Sequence, residues 1–349
     1  MLMKCRLLIL SSFFLGGCTG IATYQNETII NWDDFEEVVL SGKDIVFDED
    51  IMKPYHLIVR DSILITANTN TSNICHLFNL NTYMKIGEKI AIGQGPNEMI
   101  HPFFINADDS LRLFDPMKSI IYIYSYDDFI NSDNVSPSSQ IQLNHIPYFG
   151  ELSKLNDNLI GFSYEADAPC YVFDKTGKKL SKAFGDYPTG IMRQYSDLEI
   201  VNAYRSIVTT NGIDRVILGH MFTDLIDFYD GEGNLLKRLY GPDHFHTEFI
   251  EYKEGERIGS LPDGDYYRDA FYSPLCSDNK LYVLYNGKFV TEPNYNLLAE
   301  DILVFDLEGN PLYRYRLDKG VSRIAIDSIN RKIYGISSNP DYHIVEFSY

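Results

Sequence analysis

The sequence predicts an all-β fold: a six-bladed β-propeller of four-stranded antiparallel blades, its ring closed by an N-terminal strand. Three observations carry that reading. Short runs of β-branched and aromatic residues dominate, punctuated by Asp, Asn and Gly, while helical periodicity is scarce. One strand–turn–strand unit recurs along the chain. The last copy lacks a final strand, and a spare β-like segment stands near the N-terminus.

The recurring unit is clearest in CYVFDKTGKKLSKAFG from Cys170, LIDFYDGEGNLLKRLYG from Leu225 and ILVFDLEGNPLYRYRL from Ile302. Each is an apolar strand ending in an aromatic-Asp pair, then two residues, a Gly and a second strand. The Asp side chain bonds backbone ahead of it, and the Gly accepts the left-handed conformation that closes the turn. The pairs are Asp174/Gly177, Asp230/Gly233 and Asp306/Gly309. Weaker copies end near Asn79, Asp127 and Phe347. Successive anchors at 79, 127, 174, 230, 306 and 347 lie 48, 47, 56, 76 and 41 residues apart. A unit of about 45 residues matches a four-stranded blade, so six anchors mean six blades.

Blade 2 illustrates the expected order: strand A at Phe103–Asn106, B at Leu111–Phe114, C at Ile120–Tyr126 and D at Gln140–Leu143. The last blade has A near Arg323–Ile326, B at Ile333–Ile336 and C at Ile344–Phe347, and no D. The spare segment is Phe35–Leu40 (FEEVVL), so it is expected to supply that outer strand and remove an open sheet edge. Two separate β-domains would not explain a spare strand at one end and a missing one at the other.

Residues 1–18, MLMKCRLLILSSFFLGGC, set the address. Lys4 and Arg6 precede an apolar run, Leu7–Leu15, too short to span a bilayer stably. Leu15-Gly16-Gly17-Cys18 then resembles the lipobox of bacterial lipoproteins, in which cleavage leaves a diacylglyceryl-modified Cys as the first residue. Residues 1–17 are therefore expected to be a lipoprotein signal peptide, 18–34 the lipidated Cys18 and a polar tether, and 35–349 a single propeller domain. No later segment has 18 consecutive apolar residues, so the membrane is expected to be reached through the lipid alone. The expected location is the bacterial cell envelope, as an outer-membrane lipoprotein facing the periplasm or the surface.

Composition narrows the partners. The 349 residues carry 30 Lys plus Arg against 49 Asp plus Glu, a net charge of −19. Loss of Lys4 and Arg6 would leave 28 basic residues. Such a surface excludes nucleic acid and disfavours docking on anionic lipid. Cys75, Cys170 and Cys276 are odd in number and widely spaced, which fits buried thiols rather than a disulfide framework or zinc spacing.

Gly93-Gln94-Gly95-Pro96-Asn97-Glu98, followed by Pro102, Ile105, Leu111, Asp115 and Ile121, resembles the motif of NHL-type six-bladed propellers. Together with the lipobox and Leu281–Lys288 (LYVLYNGK), it resembles the TolB-like six-bladed β-propeller lipoproteins of Gram-negative bacteria over residues 30–349. The resemblance implies the fold and no single activity. The Gly-rich loop is not a phosphate cradle: it opens no helix and lacks the Lys and Ser/Thr of a P-loop. Its glycines turn the chain between blades, with Glu98 bonded to nearby backbone.

Propeller topology sorts the connections. A–B and C–D hairpins share one face and are short, apart from Asp127–Ser139. B–C and D–A connections share the other and hold three long insertions: Gly185–Ile200, Gly241–Arg268 and Asn286–Glu300. Long loops around a channel mouth favour a binding face there. Its candidates are Tyr187, Arg193, Tyr195, Tyr252, Arg257, Tyr266, Tyr267, Arg268 and Tyr295, side chains suited to an envelope protein or a glycan ligand. His244, His246 and Glu248 would point one way in an extended segment, at a spacing that suits zinc or a related divalent ion. No cofactor is otherwise expected. No G-x-S-x-G or Cys-His arrangement stands out, so no catalytic residue is assigned. The first reading is a lipid-anchored, non-enzymatic binding or scaffold module using the long-loop face. The alternative is a metal-dependent propeller enzyme of lactonase or lyase type, with a site at the channel mouth.

Overall fold

The computed structural model describes residues 24, 26–105, 110–144, 151–180, 184–188, 195–264, 267–290 and 297–349. Six antiparallel sheets stand around a common axis, each formed by consecutive strands. Blade 1 comprises Lys53–Arg60, Ile63–Thr69, Asn73–Asn79 and Met84–Ala91. Blade 2 comprises Phe103–Ile105, Leu111–Asp115, Ile120–Tyr124 and Ser139–Gln142. Blade 3 has Leu152–Leu155, Asn158–Phe162 and Cys170–Phe173, with single bridges from Phe173 to Lys179 and from Cys170 to Phe184 along its outer edge. Blade 4 comprises Ser206–Thr210, Arg215–His220, Leu225–Asp230 and Leu235–Tyr240. Blade 5 comprises Phe271–Ser277, Lys280–Tyr285, Ala299–Asp306 and Pro311–Val321. Blade 6 has Arg323–Asp327, Lys332–Ser337 and His343–Ser348. Each innermost strand touches the next around the full circle, blade 6 meeting blade 1.

The core lies between blades. At the blade 6–blade 1 seam, Ala325, Tyr334, Ile336 and Ile344 pack against Leu57, Leu64 and Phe78. At the blade 4–blade 5 seam, Ile217 and Phe228 meet Phe271 and Val283. Strands buried on both faces explain the near-continuous apolar runs of the inner segments. Cys75 is buried between blades 1 and 2, Cys170 between blades 3 and 4, and Cys276 is half-buried, all as free thiols. The repeated turns form as their residues require. The Asp306 carboxylate accepts from the Glu308 N–H at 3.0 Å and the Asn310 N–H at 2.7 Å, and Gly309 takes φ 75°. In the inter-blade motif, Glu98 accepts from the Gly95 N–H at 2.8 Å, and a Cβ at Gly93 would fall 2.0 Å from the Glu98 carboxylate.

Ring closure does use an N-terminal strand, but not Phe35–Leu40. Glu36–Leu40 runs parallel beside the outer strand of blade 5, Pro311–Val321, as a fifth strand. The missing strand of blade 6 is Lys43–Ile45, antiparallel to His343–Ser348, with Ile45 opposite Ile344 and Lys43 opposite Glu346. A third segment, Glu27–Ile29, adds in parallel to the outer strand of blade 4. Residues 27–45 thus form a strap over the outer edges of blades 4, 5 and 6 in turn. The alternation expected of FEEVVL holds, Leu40 being buried and Val39 exposed, but the edge it covers belongs to blade 5.

Gly42 lets the closing strand approach: a Cβ there would stand 2.6 Å from Val345 and 2.7 Å from the Phe347 ring. Gly42→Ala should therefore overpack the junction and cost about 1–3 kcal/mol of stability, measured by denaturant unfolding. A neutral effect would mean that Lys43–Ile45 does not seat against blade 6 this closely.

Candidate functional site: the channel and the long-connection face

The six inner strands enclose an axial cavity of about 540 Å³. At its inner level Glu151, just before blade 3, meets Arg323 at the start of blade 6, with Nη2 to Oε1 at 2.7 Å. His56 of blade 1 approaches the same carboxylate at 3.9 Å. Burial alone would raise the Glu151 carboxyl, but the Arg323 charge, with His56 nearby, overcomes it and holds the group at about 2. Ahead of blade 2, His101 stacks on Tyr55 with ring centroids 4.0 Å apart, and burial lowers its pKa. Asp269, ahead of blade 5, is lifted to about 6 by burial, with a Tyr272 hydrogen bond pulling the other way. Glu151 is committed to a guanidinium, and among the described residues no three His, Cys, Asp or Glu side chains converge as cation ligands.

A second polar set crosses blade 4 from strand to strand. Ser206 Oγ lies 3.0 Å from His220 Nδ1, and His220 Nε2 lies 3.3 Å from Asp227 Oδ2. Arg238 donates through Nε and Nη2 to both oxygens of Asp227, each at 2.7 Å. The order resembles a nucleophile, base and acid. However, Ser206 donates its proton to the Tyr204 carbonyl at 2.8 Å, and all four side chains are buried. The row is structural, a chain of satisfied hydrogen bonds across one sheet. Sequence reasoning missed it, although an Asp inside the apolar strand LIDFYD was a signal.

The three long connections share one face and are sewn together. Gly185–Ile200 leads into a helix, Asp197–Ala203, whose first turn is capped by Ser196 and Glu199. Gly241–Arg268 carries a hairpin, Phe249–Glu254 paired with Arg257–Pro262. The two interlock: Ser196 Oγ donates to Glu251 at 2.9 Å, the Glu251 N–H to Glu199 at 2.9 Å, and Asn202 Nδ2 to Ser260 Oγ at 2.7 Å. The third connection joins through the Val290 N–H to the Tyr267 carbonyl at 2.9 Å and through Arg268 Nε to the Gly287 carbonyl at 2.8 Å.

This placement sorts the sequence candidates. Tyr187, Tyr195, Tyr267 and Arg268 are half-buried and brace the platform. Tyr187 donates to the Glu165 carbonyl at 3.1 Å, and the Tyr267 ring lies 5.1 Å from Phe222. Tyr252 and Arg257 project from the hairpin into solvent. Arg193, Tyr266 and Tyr295 lie outside the described residues, as does Cys18.

His244, His246 and Glu248 do not converge. His244 Nε2 reaches the Ile30 carbonyl at 2.9 Å. His246 Nδ1 shares a hydrogen bond with the Tyr24 hydroxyl at 2.9 Å, and only its other nitrogen faces Glu248, at 3.6 Å. Asp243, one residue earlier, accepts from Trp32 Nε1 at 2.9 Å. Asp243, His244 and His246 therefore form a clasp that fastens the strap at Trp32, Ile30 and Tyr24. Asp224 shapes that clasp beneath, its carboxylate accepting from the Asp243 and His244 N–H groups, both at 2.7 Å.

With the geometry in hand, the relatives can be placed. The family described as TolB-like 6-blade propeller-like matches residues 33–329, and the chain belongs to it. Among solved structures, a presumptive exported protein from Bacteroides fragilis NCTC 9343 is 14% identical, with a TM-score of 0.50, covering 92% of this chain and 99% of that one. A DUF4221 family member from Bacteroides vulgatus ATCC 8482 is 12% identical, with a TM-score of 0.58 over 88% and 97%. The WD40 repeats of RRP9 are 9% identical, with a TM-score of 0.50 over 88% and 97%. At these identities the likeness is one of fold. No curated protein sequence matches the chain.

Removing the Asp227 carboxylate leaves Arg238 buried and unpaired, so Asp227→Ala should cost about 3–5 kcal/mol. Burial would raise the Asp227 carboxyl, yet Arg238 and His220 hold it at about 2. Its folded pKa lies below the unfolded value of about 4, so its stabilisation is present above pH 4 and lost as pH falls toward 2. Unfolding curves across that window should show a shallower acid limb in Asp227→Asn than in the parent. The clasp has its own reporter, because Trp32 is the only tryptophan of the chain. Asp243→Ala should shift Trp32 emission to the red with the propeller still folded by circular dichroism, and an unchanged spectrum would contradict the clasp.

Proposed function

We propose that the protein is a lipid-anchored binding module of the bacterial cell envelope, with the platform of long connections around the channel mouth as its binding face. The observation that carries this reading is the platform itself. Three insertions distant in sequence are joined by side-chain and backbone hydrogen bonds into one raised surface, whereas most hairpins of the opposite face are short. Ordering such loops costs conformational entropy, and a surface already ordered before binding pays less of it on contact. Tyr252 and Arg257, exposed on the hairpin, are residue types that concentrate binding energy. The Leu15-Gly16-Gly17-Cys18 sequence supports the anchor, and the presumed export of a structural neighbour accords with that address. The paired charges at the channel axis favour recognition over a metal-centred reaction, since Arg323 occupies the position beside Glu151 that a cation would take.

Replacing Ile250–Leu261 by a Gly-Ser turn tests the reading while leaving Phe249 and the clasp in place. Crosslinked partners recovered with the parent protein should be lost from this variant and retained in Asn158→Ser and Glu308→Ser on the opposite face. Loss in the opposite-face variants, with capture kept by the shortened one, would overturn the assignment. The anchor is checked separately: intact mass of the mature chain should show a diacylglyceryl adduct at Cys18, absent in Cys18→Ala.

A further inference from the structure

We infer that the platform face is turned toward the bilayer, and that the Phe249–Pro262 hairpin is a second membrane contact, resting on the leaflet that holds the Cys18 lipid. The inference rests on the lipid-anchor reading and goes beyond it, because an anchor on a free tether would leave the propeller's orientation undetermined.

The strap removes that freedom. Tyr24 is buried beneath the platform, its ring 5.1 Å from Tyr240 and its hydroxyl on His246. From Cys18 to Tyr24 the chain has only six Cα-to-Cα steps. Whatever conformation residues 19–23 take, it reaches at most about 22 Å. The lipid therefore holds the platform side of blade 4 close to the headgroups. The A–B and C–D hairpins lie a strand length away on the far face, about 20 Å deeper into solvent.

The hairpin is the part of this face best placed to touch lipid. It follows His246 by two residues and projects from the platform. Tyr252 and Leu261, at 42% and 41% of full exposure, share one face of the ribbon, and Ile258, at 55%, stands beside the tip on the other. Tyr252 lies flat across Gly259, where a Cβ would come within 2.8 Å of the ring, so the aromatic surface is fixed before contact. Tyrosine favours the membrane–water interface, and Lys253 and Arg257 can extend their charged ends toward headgroups. Glu251, Glu254 and Glu256 leave the hairpin near neutral, which suits a zwitterionic leaflet rather than an anionic one.

The test uses the full mature protein, carrying its lipid, in phosphatidylcholine vesicles. A polarity-sensitive dye is placed at Glu256→Cys on the hairpin or at Glu308→Cys on the opposite face, with labelling of the native thiols subtracted. Quenching by spin-labelled lipid should be several-fold stronger at position 256 than at 308. Joint substitution of Tyr252, Ile258 and Leu261 by Ser should reduce it toward the level at 308, with Trp32 emission confirming an intact clasp. Equal quenching at both positions, stronger quenching at 308, or indifference to the triple substitution would overturn the inference while leaving the anchor standing. Absence of the diacylglyceryl adduct by mass would instead overturn the anchor, and this inference with it.

Discussion

Closure of the ring is the constraint on which the rest of the molecule depends. Six blades pack through their inner strands, and each seam buries side chains from two neighbours. A gap at one seam would expose both an apolar wall and an unpaired strand edge. The chain solves this by bringing residues 43–45 to blade 6, so the two ends of the sequence are joined by a ladder of only three residue pairs. That ladder is too short to hold alone. It is extended upstream by parallel pairing along blades 5 and 4 and by the Asp243, His244 and His246 clasp. The strap follows from the need to close the circle.

Two carboxylates inside the propeller are each held between two basic side chains. Asp227 is flanked by Arg238 and His220, and Glu151 by Arg323 and His56. Such pairs contribute little net stability over an apolar core but are costly to break. Their effect is geometric. The blade 4 row fixes the register of four strands, and the axial pair spans the channel between blades 3 and 6. Asp269 sits differently: burial raises its carboxyl to about 6, against the pull of the Tyr272 hydrogen bond.

The blade count, the strand order and the identity of the long-connection face were legible because they depend on periodic, local signals. Turn chemistry repeats at Asp174, Asp230 and Asp306, and topology alone assigns each connection to a face. The closing strand was not legible. Lys43–Ile45 is three residues long, two of them charged, while FEEVVL has the β-branched alternation of a covered strand. Propensity marks a segment as a strand without saying which edge it will cover. The His-x-His-x-Glu segment misled for a related reason. Spacing assumes an extended run with shared side-chain direction, but His244 adopts φ 54° and turns its ring toward Ile30. The Ser206–His220–Asp227–Arg238 row was hidden because its members meet through cross-strand pairing, a relation that linear spacing does not express.

The Gly241–Arg268 connection joins two tasks in one stretch of chain. Its first residues fasten the strap, its middle forms the hairpin, and its last residues enter blade 5 through Arg268, whose guanidinium donates to Asp243 at 2.6 Å. Asp243 therefore receives hydrogen bonds from the strap and from the far end of its own loop. A displacement of the strap is felt at Arg268, and through the Gly287 carbonyl at the third connection. Whatever binds the platform meets a surface whose shape is conditional on the strap being seated. The same polar contacts thereby tie the strap to the platform of long connections.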